Sequence, residues 1–205
     1  MKLFFFFKRL SDILFSMLGI CILIPFIIII KILYIFFGDT NSIFYIHERV
    51  GKNGKKFKMY KFRTMVINSD ELLVKMLEKK EYQKQWKEFH KFENDPRITN
   101  VGKILRRLSM DELPQMFNVF IGDMSLIGPR PLTQEEIKLY RNKKKLLLSV
   151  RPGLTGWWAC NGRSCISNKQ RMALELYYVE NISFLLDAKI FFKTIVKIIQ
   201  REGAK

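Results

Sequence analysis

The chain has 205 residues, with 36 Lys and Arg against 19 Asp and Glu, and a formal net charge of +17 at pH 7. Hydrophobic residues make up 48% of it, which is enough for a packed core and excludes global disorder. The basic balance indicates an acidic partner, namely nucleic acid, anionic lipid or a phosphorylated substrate. Three cysteines predict no disulfide framework.

The first part of the chain has the composition of a membrane segment. Residues 13–30 contain no charged side chain, and the apolar character resumes after Lys31 through Phe37. This run meets the length of about 20 residues that a membrane helix needs. Pro25 lies near its middle, and a proline removes one backbone hydrogen bond and clashes with the preceding turn. We therefore predict a membrane helix that is broken at Pro25.

Two topologies are compatible with this segment, a kinked span and a re-entrant hairpin whose two ends lie on the same side. Both flanks of the apolar run are positively charged, and positive charge is retained on the cytoplasmic side. The re-entrant form is therefore favoured, with the rest of the chain on the cytoplasmic face of the membrane. The turn residues 38–41 separate a membrane segment, residues 1–38, from a cytosolic domain, residues 39–205.

The rest of the chain is predicted to be a compact α+β domain, mostly helical, with one small β-hairpin. Residues 43–50 and 57–66 are β-prone and are joined by a turn at residues 51–54. Residues 122–131 form a turn region rich in glycine and proline. Helices are predicted at residues 70–92, 101–120, 135–150 and 182–201.

Two of these helices are amphipathic candidates for the membrane interface. The helix at residues 70–92 has a competing interpretation as a solvated surface helix. In the last helix, Lys189, Lys193 and Lys197 recur every four residues. We predict that this stripe of lysines faces lipid headgroups.

Asp111 and Glu112 are adjacent carboxylates within the segment SMDELP, residues 109–114. Ser109 and Glu112 have the spacing of a capping box, which predicts that a helix begins here, although Asp111 could also be the cap because Pro114 favours a first turn. In either register the two carboxylates lie at the positive end of a helix dipole. That position keeps them ionised and also attracts phosphate.

Cationic side chains accompany these carboxylates along the sequence: Lys61, Arg63, Arg106, Arg130 and Arg151. Arginines held in proline-stiffened loops are good bidentate ligands for phosphate. Carboxylates among several cations indicate a diphosphate, a divalent metal, or both. The sequence contains no G-x-G-x-x-G and no Walker motif, which disfavours a dinucleotide fold and a P-loop NTPase.

In this order and spacing, the motifs resemble those of the bacterial sugar transferase family, the monotopic polyprenyl-phosphate phosphoglycosyl transferases. The resemblance covers nearly the whole chain. It rests on residues 61–65 (KFRTM), 106–115 (RRLSMDELPQ), 117–119 (FNV), 122–131 (GDMSLIGPRP), 151–157 (RPGLTGW) and 161–163 (NGR), and on Tyr177, Tyr178 and Asp187. Ile24 departs from the family, in which serine commonly precedes the helix-breaking proline.

The resemblance implies transfer of a phospho-sugar from a UDP-sugar to undecaprenyl phosphate, with release of UMP. It implies that Asp111 is the nucleophile of a covalent phospho-sugar intermediate, and that Asp111 and Glu112 together hold Mg²⁺. By motif position it assigns phosphate or nucleotide contacts to the cationic residues above, and it makes Asp187 a supporting residue.

An alternative from another class is a non-catalytic, membrane-tethered basic protein that binds nucleic acid or anionic lipid. Such a protein has no reason to place Asp111 and Glu112 among arginines, so the transferase is favoured. The expected partners are a UDP-sugar, undecaprenyl phosphate and anionic membrane lipids, and no nucleic acid is expected.

Overall fold

The computed structural model describes residues 2–89, 92, 94–162 and 166–200. The helices are α1 (Lys2–Phe36), α2 (Ser69–Leu77), α3 (Lys80–Phe89), α4 (Asn100–Arg107), α5 (Gln115–Ile121), α6 (Gln134–Lys138), α7 (Lys144–Leu147), α8 (Asn168–Glu180) and α9 (Phe184–Ile199). The strands are β1 (Phe44–Val50), β2 (Lys56–Phe62), β3 (Ser125–Ile127) and β4 (Gly153–Thr155). This architecture confirms the mostly helical α+β class. Arg163 of the NGR motif and the end of the last predicted helix lie outside the described residues.

Helix α1 runs without interruption for 35 residues, with Pro25 inside it. The break predicted at Pro25 therefore does not end the helix. A proline removes one hydrogen bond from a helix interior, and packing on both sides of it keeps the helix together. Leu23 and Ile30, which flank Pro25, pack in the same buried cluster with Phe62. By length and composition α1 could cross a membrane, and only 17% of its most apolar stretch is buried against the protein.

Both ends of α1 contact the same domain. Near its beginning, Lys8 forms an ion pair with Asp187 of α9, with 2.6 Å between Nζ and Oδ2. Near its end, the Tyr34 hydroxyl donates to the Arg63 carbonyl oxygen, and the Arg63 guanidinium lies 4.7 Å from the centre of the Tyr34 ring. Helix α1 therefore lies along the domain. The division of the chain at residues 38 and 39 stays a prediction.

Two arginines from distant parts of the chain close the end of α5. Arg9 of α1 donates to the carbonyl oxygens of Val119 (2.6 Å) and Phe120 (2.7 Å). Arg151 donates through Nε to the carbonyl oxygen of Gly122 (2.7 Å). The last carbonyls of a helix have no partner within it and are stabilised by cations, so these contacts lock α1 onto α5.

The predicted hairpin is confirmed. Strands β1 and β2 are antiparallel, with Tyr45 opposite Lys61 and His47 opposite Met59, so these four side chains share one face. The short strands β3 and β4 pair in parallel. A Cβ on Gly153 would lie 2.1 Å from the Gly128 nitrogen, so this pairing requires glycine.

Several predicted helices are shorter than expected. The helix predicted at residues 70–92 is divided into α2 and α3, and that at 135–150 into α6, a turn and α7. The helix at residues 101–120 is divided into α4 and α5 because Ser109 adopts a left-handed conformation with φ of 54°. The sequence prediction missed α8, which begins with a capping box of Ser167 and Gln170.

Helix α9 exposes its apolar residues. Leu185 is 82% exposed and Phe192 is 66% exposed. By contrast, Lys189 and Lys193 lie over the ring of Trp157, at 5.5 and 4.9 Å from its centre, because a cation is attracted to an aromatic face. The predicted stripe of lysines is thus partly turned towards the domain, and the outward face of α9 is apolar.

Helix α8 contributes a buried carboxyl. Glu175 is inaccessible to solvent and accepts a hydrogen bond from the hydroxyl of Tyr140. Burial raises the pKa of Glu175 to about 7, against the lowering effect of the Tyr140 hydrogen bond and of Arg171, whose Nε lies 3.9 Å from Oε1. Burial thus favours the protonated form of Glu175 and outweighs the contacts with Tyr140 and Arg171, which favour the ionised form.

We predict that Glu175→Gln reduces the dependence of stability on pH. Because the folded-state pKa is raised, the contribution of Glu175 is present below its ordinary pKa and is lost as pH rises through the folded value. For the wild type this loss is about 2 kcal/mol between about pH 5 and about pH 8. Thermal unfolding in detergent across this range should show a flatter profile for Glu175→Gln. The exposed Glu180→Gln is the control, and a variant profile as steep as that of the wild type would contradict the prediction.

We also predict that the outward face of α9 contributes to membrane binding. Replacing Leu185 and Phe192 with Ser removes apolar area worth about 1.5–3 kcal/mol per side chain, so partition into vesicles should fall at least about tenfold. Flotation with neutral and with anionic vesicles should show the loss in both. Lys189→Gln is the matched control, and an equal loss in that variant would contradict this assignment.

Candidate active site

Asp111 and Glu112 lie in the turn between α4 and α5. Ser109, at a positive φ, ends α4 and turns the chain. The carbonyl oxygen of Asp111 accepts a hydrogen bond from the backbone N–H of Phe62 at 2.8 Å. This bond fastens the turn to the end of β2 and places both carboxylates beside the hairpin.

The capping box predicted for Ser109 and Glu112 is wrong. Helix α5 begins at Gln115 with Pro114 as its N-cap residue, and no side chain caps it. The left-handed conformation of Ser109 and the hydrogen bond from Phe62 define a turn here rather than a first helical turn. Because α5 has only seven residues and begins beyond the carboxylates, its dipole acts on them weakly.

The electrostatics of Asp111 differ from those predicted. Burial raises the pKa of Asp111, and the adjacent charge of Glu112 raises it further, while Lys61 and Arg106 lower it. The expectation that a helix dipole keeps this carboxyl strongly ionised is therefore not met, because burial and the like charge dominate. The ionised form of Asp111 is poorly solvated and correspondingly more basic than a surface carboxylate.

Lys61 of β2 holds Glu112 in place. Its Nζ lies 2.7 Å from Glu112 Oε1, with side-chain exposures of 25% for Lys61 and 46% for Glu112. The partly exposed position leaves room for a ligand at the carboxylate. The position of Lys61 at the end of the hairpin follows from the β1–β2 register.

Arg106 is placed by a close approach of α4 to the segment after β2. Its Nε donates to Thr64 Oγ1 at 3.0 Å. A Cβ on Gly102 would lie 2.0 Å from the Thr64 carbonyl oxygen, so only glycine permits this approach. The guanidinium is then close enough to Asp111 to lower the pKa of that carboxyl.

Arg130 follows β3 in the GPRP turn. Its guanidinium lies 5.5 Å from the centre of the Trp158 ring. Its Nε is buried and has no hydrogen-bond acceptor among the residues that the structure describes. A buried donor without an acceptor is costly, so a ligand that supplies an oxygen here would be bound favourably.

Arg63 has a role in the fold. Its Nη2 donates to Asp39 Oδ2 at 2.9 Å, its Nε to the Ser42 carbonyl at 2.6 Å and its Nη1 to the Met65 carbonyl at 3.2 Å. Every nitrogen of the guanidinium is used in these bonds. Arg63 therefore fastens the segment after α1 to the end of β2, and we do not retain it among the proposed phosphate ligands.

Arg151 and Asp187 are found where α1 meets the domain. Arg151 uses Nε on the end of α5, as described above, and Asp187 accepts hydrogen bonds from Lys8 (2.6 Å) and from the Tyr178 hydroxyl (2.7 Å). Asp187 thus connects α1, α8 and α9. The structure places Lys61, Arg106, Asp111 and Glu112 together. It places Arg151 and Asp187 elsewhere, where α1 contacts the domain.

Three residues near the site were not selected from the sequence. Arg49 donates through Nη1 to Glu136 Oε2 at 3.0 Å and through Nη2 to His47 Nδ1 at 3.2 Å. His47 is within electrostatic reach of Lys61 and of Arg130. The bond between Arg49 and Glu136 joins residues that are far apart in the chain, so no motif of the sequence pointed to this group.

Asp111 and Glu112 are the side chains that could hold a divalent cation. No group of three or more His, Cys, Asp or Glu side chains suited to a metal occurs in the described part of the chain. Mg²⁺ commonly binds through one or two carboxylates together with substrate phosphates, and it keeps several waters. Two adjacent carboxylates beside Lys61 and Arg106 fit Mg²⁺ that arrives with a diphosphate.

Comparison with known proteins identifies the family of this chain. The family described as "Bacterial sugar transferase" matches residues 3–201. The chain is 41% identical over 198 residues to the "Exopolysaccharide production protein ExoY" of Sinorhizobium fredii, which covers 96% of this chain and 87% of that protein.

Two longer relatives carry more specific names. The "Undecaprenyl-phosphate galactose phosphotransferase" of Salmonella typhimurium is 40% identical over 200 residues, which are 97% of this chain and 42% of that protein. The "UDP-N-acetylgalactosamine-undecaprenyl-phosphate N-acetylgalactosaminephosphotransferase" of Aeromonas hydrophila is 34% identical over 206 residues, covering 98% of this chain and 45% of that protein. The chain spans less than half the length of either. With the family match extending over nearly its whole length, this chain belongs to the bacterial sugar transferase family.

Proposed function

We propose that this phosphoglycosyl transferase moves a phospho-sugar from a UDP-sugar to undecaprenyl phosphate, giving polyprenyl diphosphate-sugar and UMP. The observation that carries the proposal is the turn that holds Asp111 and Glu112 beside Lys61 and Arg106. The Salmonella and Aeromonas relatives are named for the transfer of phospho-sugars to undecaprenyl phosphate, which supports the same reaction here.

The proposed reaction proceeds in two displacements at one phosphorus atom. In the first, a carboxylate oxygen of Asp111 attacks the β-phosphorus of the UDP-sugar, forms a P–O bond and displaces UMP, which leaves with the electrons of the broken P–O bond. In the second, a phosphate oxygen of undecaprenyl phosphate attacks the same phosphorus and releases the carboxylate. A basic, half-buried carboxylate suits the first step, and a covalent intermediate divides one difficult transfer into two.

Cationic side chains of the site would neutralise the charge of the diphosphate. Lys61 fixes Glu112, Arg106 lies near Asp111, and Arg130 offers a buried donor that lacks an acceptor among the described residues. Hydrogen-bond donors that are already oriented before the reaction stabilise the charge that develops in the transition state, because the site does not have to rearrange. Mg²⁺, held by Asp111 and Glu112 together with the diphosphate, would supply further neutralisation of the phosphate oxygens.

We further propose that the chain lies on the cytoplasmic face of the bacterial inner membrane, and that α1 is re-entrant in the sense that both of its ends lie on that face, although the helix continues through Pro25. The contacts of Lys8 with Asp187 and of Tyr34 with Arg63 bind both ends of α1 to one domain. A helix that spans the membrane has its ends on opposite sides of a hydrocarbon layer of about 30 Å, and a domain that lies on one side does not reach both ends. The net charge of +17 favours anionic membrane lipids as partners.

We predict that Asp111→Asn reduces turnover by about 10³-fold or more, because the amide keeps the shape but is not a nucleophile. Without undecaprenyl phosphate, the wild type should release at most about one equivalent of UMP and retain the phospho-sugar mass on the peptide containing Asp111. Mass spectrometry and a UMP assay with a panel of UDP-sugars would measure both quantities.

Glu112→Gln is the comparison variant, because Glu112 is the neighbouring carboxylate and is not the proposed nucleophile. It should also lower turnover, through the placement of Mg²⁺, and raised Mg²⁺ should restore part of its activity. Direct transfer between the two substrates predicts neither an adduct nor UMP release without the lipid, and undiminished activity of Asp111→Asn would refute the nucleophile. A non-catalytic basic protein would release no UMP from any UDP-sugar.

We predict that the beginning and the end of the chain both face the cytoplasm. Reporter domains fused at either end, one type active only in the cytoplasm and the other only in the periplasm, would locate them in cells. Ends on opposite sides would exclude the re-entrant helix and would leave the chemistry of Asp111 unaffected.

A further inference from the structure

A chain of hydrogen bonds fixes the imidazole of His47. The guanidinium of Arg49, with a side chain only 9% exposed, lies between Glu136 Oε2 (3.0 Å) and His47 Nδ1 (3.2 Å). A guanidinium has donors and no acceptor, so Nδ1 of His47 must accept. The imidazole is therefore neutral, and its remaining proton is on Nε2.

The surroundings of His47 favour the same neutral form. Burial lowers the pKa of His47, and the charges of Arg49, Lys61 and Arg130 lower it further, against the opposing effect of Glu136. At neutral pH the ring therefore offers one N–H donor and no net charge.

The carboxylate at the start of this chain of hydrogen bonds is itself held firmly. Glu136 accepts from the backbone N–H of Thr133 at 2.9 Å, within the capping box of α6, and from Arg171 Nη2 at 3.4 Å. Two elements thus fix Glu136, and Glu136 fixes Arg49. Arg49 in turn fixes the orientation of the imidazole, because it donates a hydrogen bond to Nδ1 of His47.

His47 lies on the face of the hairpin that leads to the catalytic turn. It is two residues from Tyr45, the cross-strand partner of Lys61, so the imidazole and the Lys61 side chain point to the same side. Lys61 binds Glu112 there. On the other side of His47 is Arg49, and Arg130 is close enough to lower the pKa of both residues.

Two buried guanidinium nitrogens near His47 have donors that no described residue accepts. Arg49 and Arg130 repel each other, and each has a buried Nε without an acceptor among the described residues. Buried donors require partners, and a phosphoryl group supplies oxygens that suit guanidinium and imidazole N–H groups.

We propose that His47 binds the donor substrate, its Nε2–H donating to a phosphoryl oxygen of the nucleotide diphosphate between Lys61 and Arg130. Glu136 and Arg49 are positioning residues that hold the imidazole in the required tautomer. A neutral donor adds a hydrogen bond without further repulsion among the cations. The proposal rests on the proposed function for the identity of the diphosphate.

Substitutions at His47 test the role of the donor. Gln can accept from Arg49 and donate an N–H as the Nε2–H tautomer does, whereas Leu has similar volume and can do neither. Loss of a hydrogen bond to a charged group should weaken UDP binding and raise KM for the UDP-sugar about 10- to 100-fold in His47→Leu, with little change in kcat. His47→Gln should bind UDP at least about tenfold more tightly than His47→Leu.

The measurements use the full chain in detergent. Titration calorimetry gives the Kd for UDP, and the UMP assay gives kcat and KM. Glu48→Leu is the control, because Glu48 lies on the opposite face of β1 and its side chain is 62% exposed. Thermal unfolding verifies that each variant is folded.

The tautomer can be observed without any loss of binding. The sequence has only two histidines, His47 and His90, so ¹⁵N-histidine labelling of a His90→Gln variant isolates His47. The proton should be on Nε2 at neutral pH, and UDP should shift the Nε2 resonance more than that of Nδ1.

The outcomes separate this proposal from the proposed function. Wild-type affinity and KM in His47→Leu, or a proton on Nδ1, overturn the role of His47 and leave the transferase chemistry intact. UDP binding that depends on His47, in a protein that releases no UMP, supports the inference and refutes the proposed reaction.

Discussion

The carbonyl oxygens at the end of α5 need hydrogen-bond donors. The positions of α1 and of the candidate catalytic turn depend on which residues supply those donors. Arg9 from α1 and Arg151 from the segment before β4 satisfy them. The other end of the same seven-residue helix follows the turn with Asp111 and Glu112. Helix α5 therefore connects the apolar helix α1 directly to the candidate catalytic turn, so that the position of one defines the position of the other.

The charges around Asp111 suit the nucleophilic role that we propose for it. Burial and Glu112 raise the pKa of Asp111, while Lys61 and Arg106 limit the rise. A carboxylate that is poorly solvated but close to fixed positive charge suits attack on a phosphate, because the cations also attract the substrate. At His47 the proposed hydrogen-bond donor is a neutral ring, which adds no charge to a region that already has an excess of positive charge.

The outer surface of α1 and α9 is apolar, in contrast to the charged candidate site. Helices α1 and α9 expose large apolar side chains, and the lysines at positions 189 and 193 turn towards Trp157. Such a surface is unfavourable in water and favourable in a bilayer. Polar contacts at both ends of α1, through Lys8 and Tyr34, hold the apolar helix against the domain, so that the apolar surface and the candidate catalytic turn belong to one unit.

The sequence by itself determined the apolar N-terminal helix, the hairpin, the last helix and the family, because each depends on local composition or on contiguous motifs such as that around Asp111. It also indicated Lys61, Arg106 and Arg130 as cations of the site. Only the tertiary structure decided that α1 passes through Pro25, that Ser109 divides α4 from α5, and that Arg63 serves the fold. The bonds from Arg49 to Glu136 and His47 join residues far apart in the chain. Hydrogen bonds of this kind have no local sequence signature, because they depend on how distant elements pack.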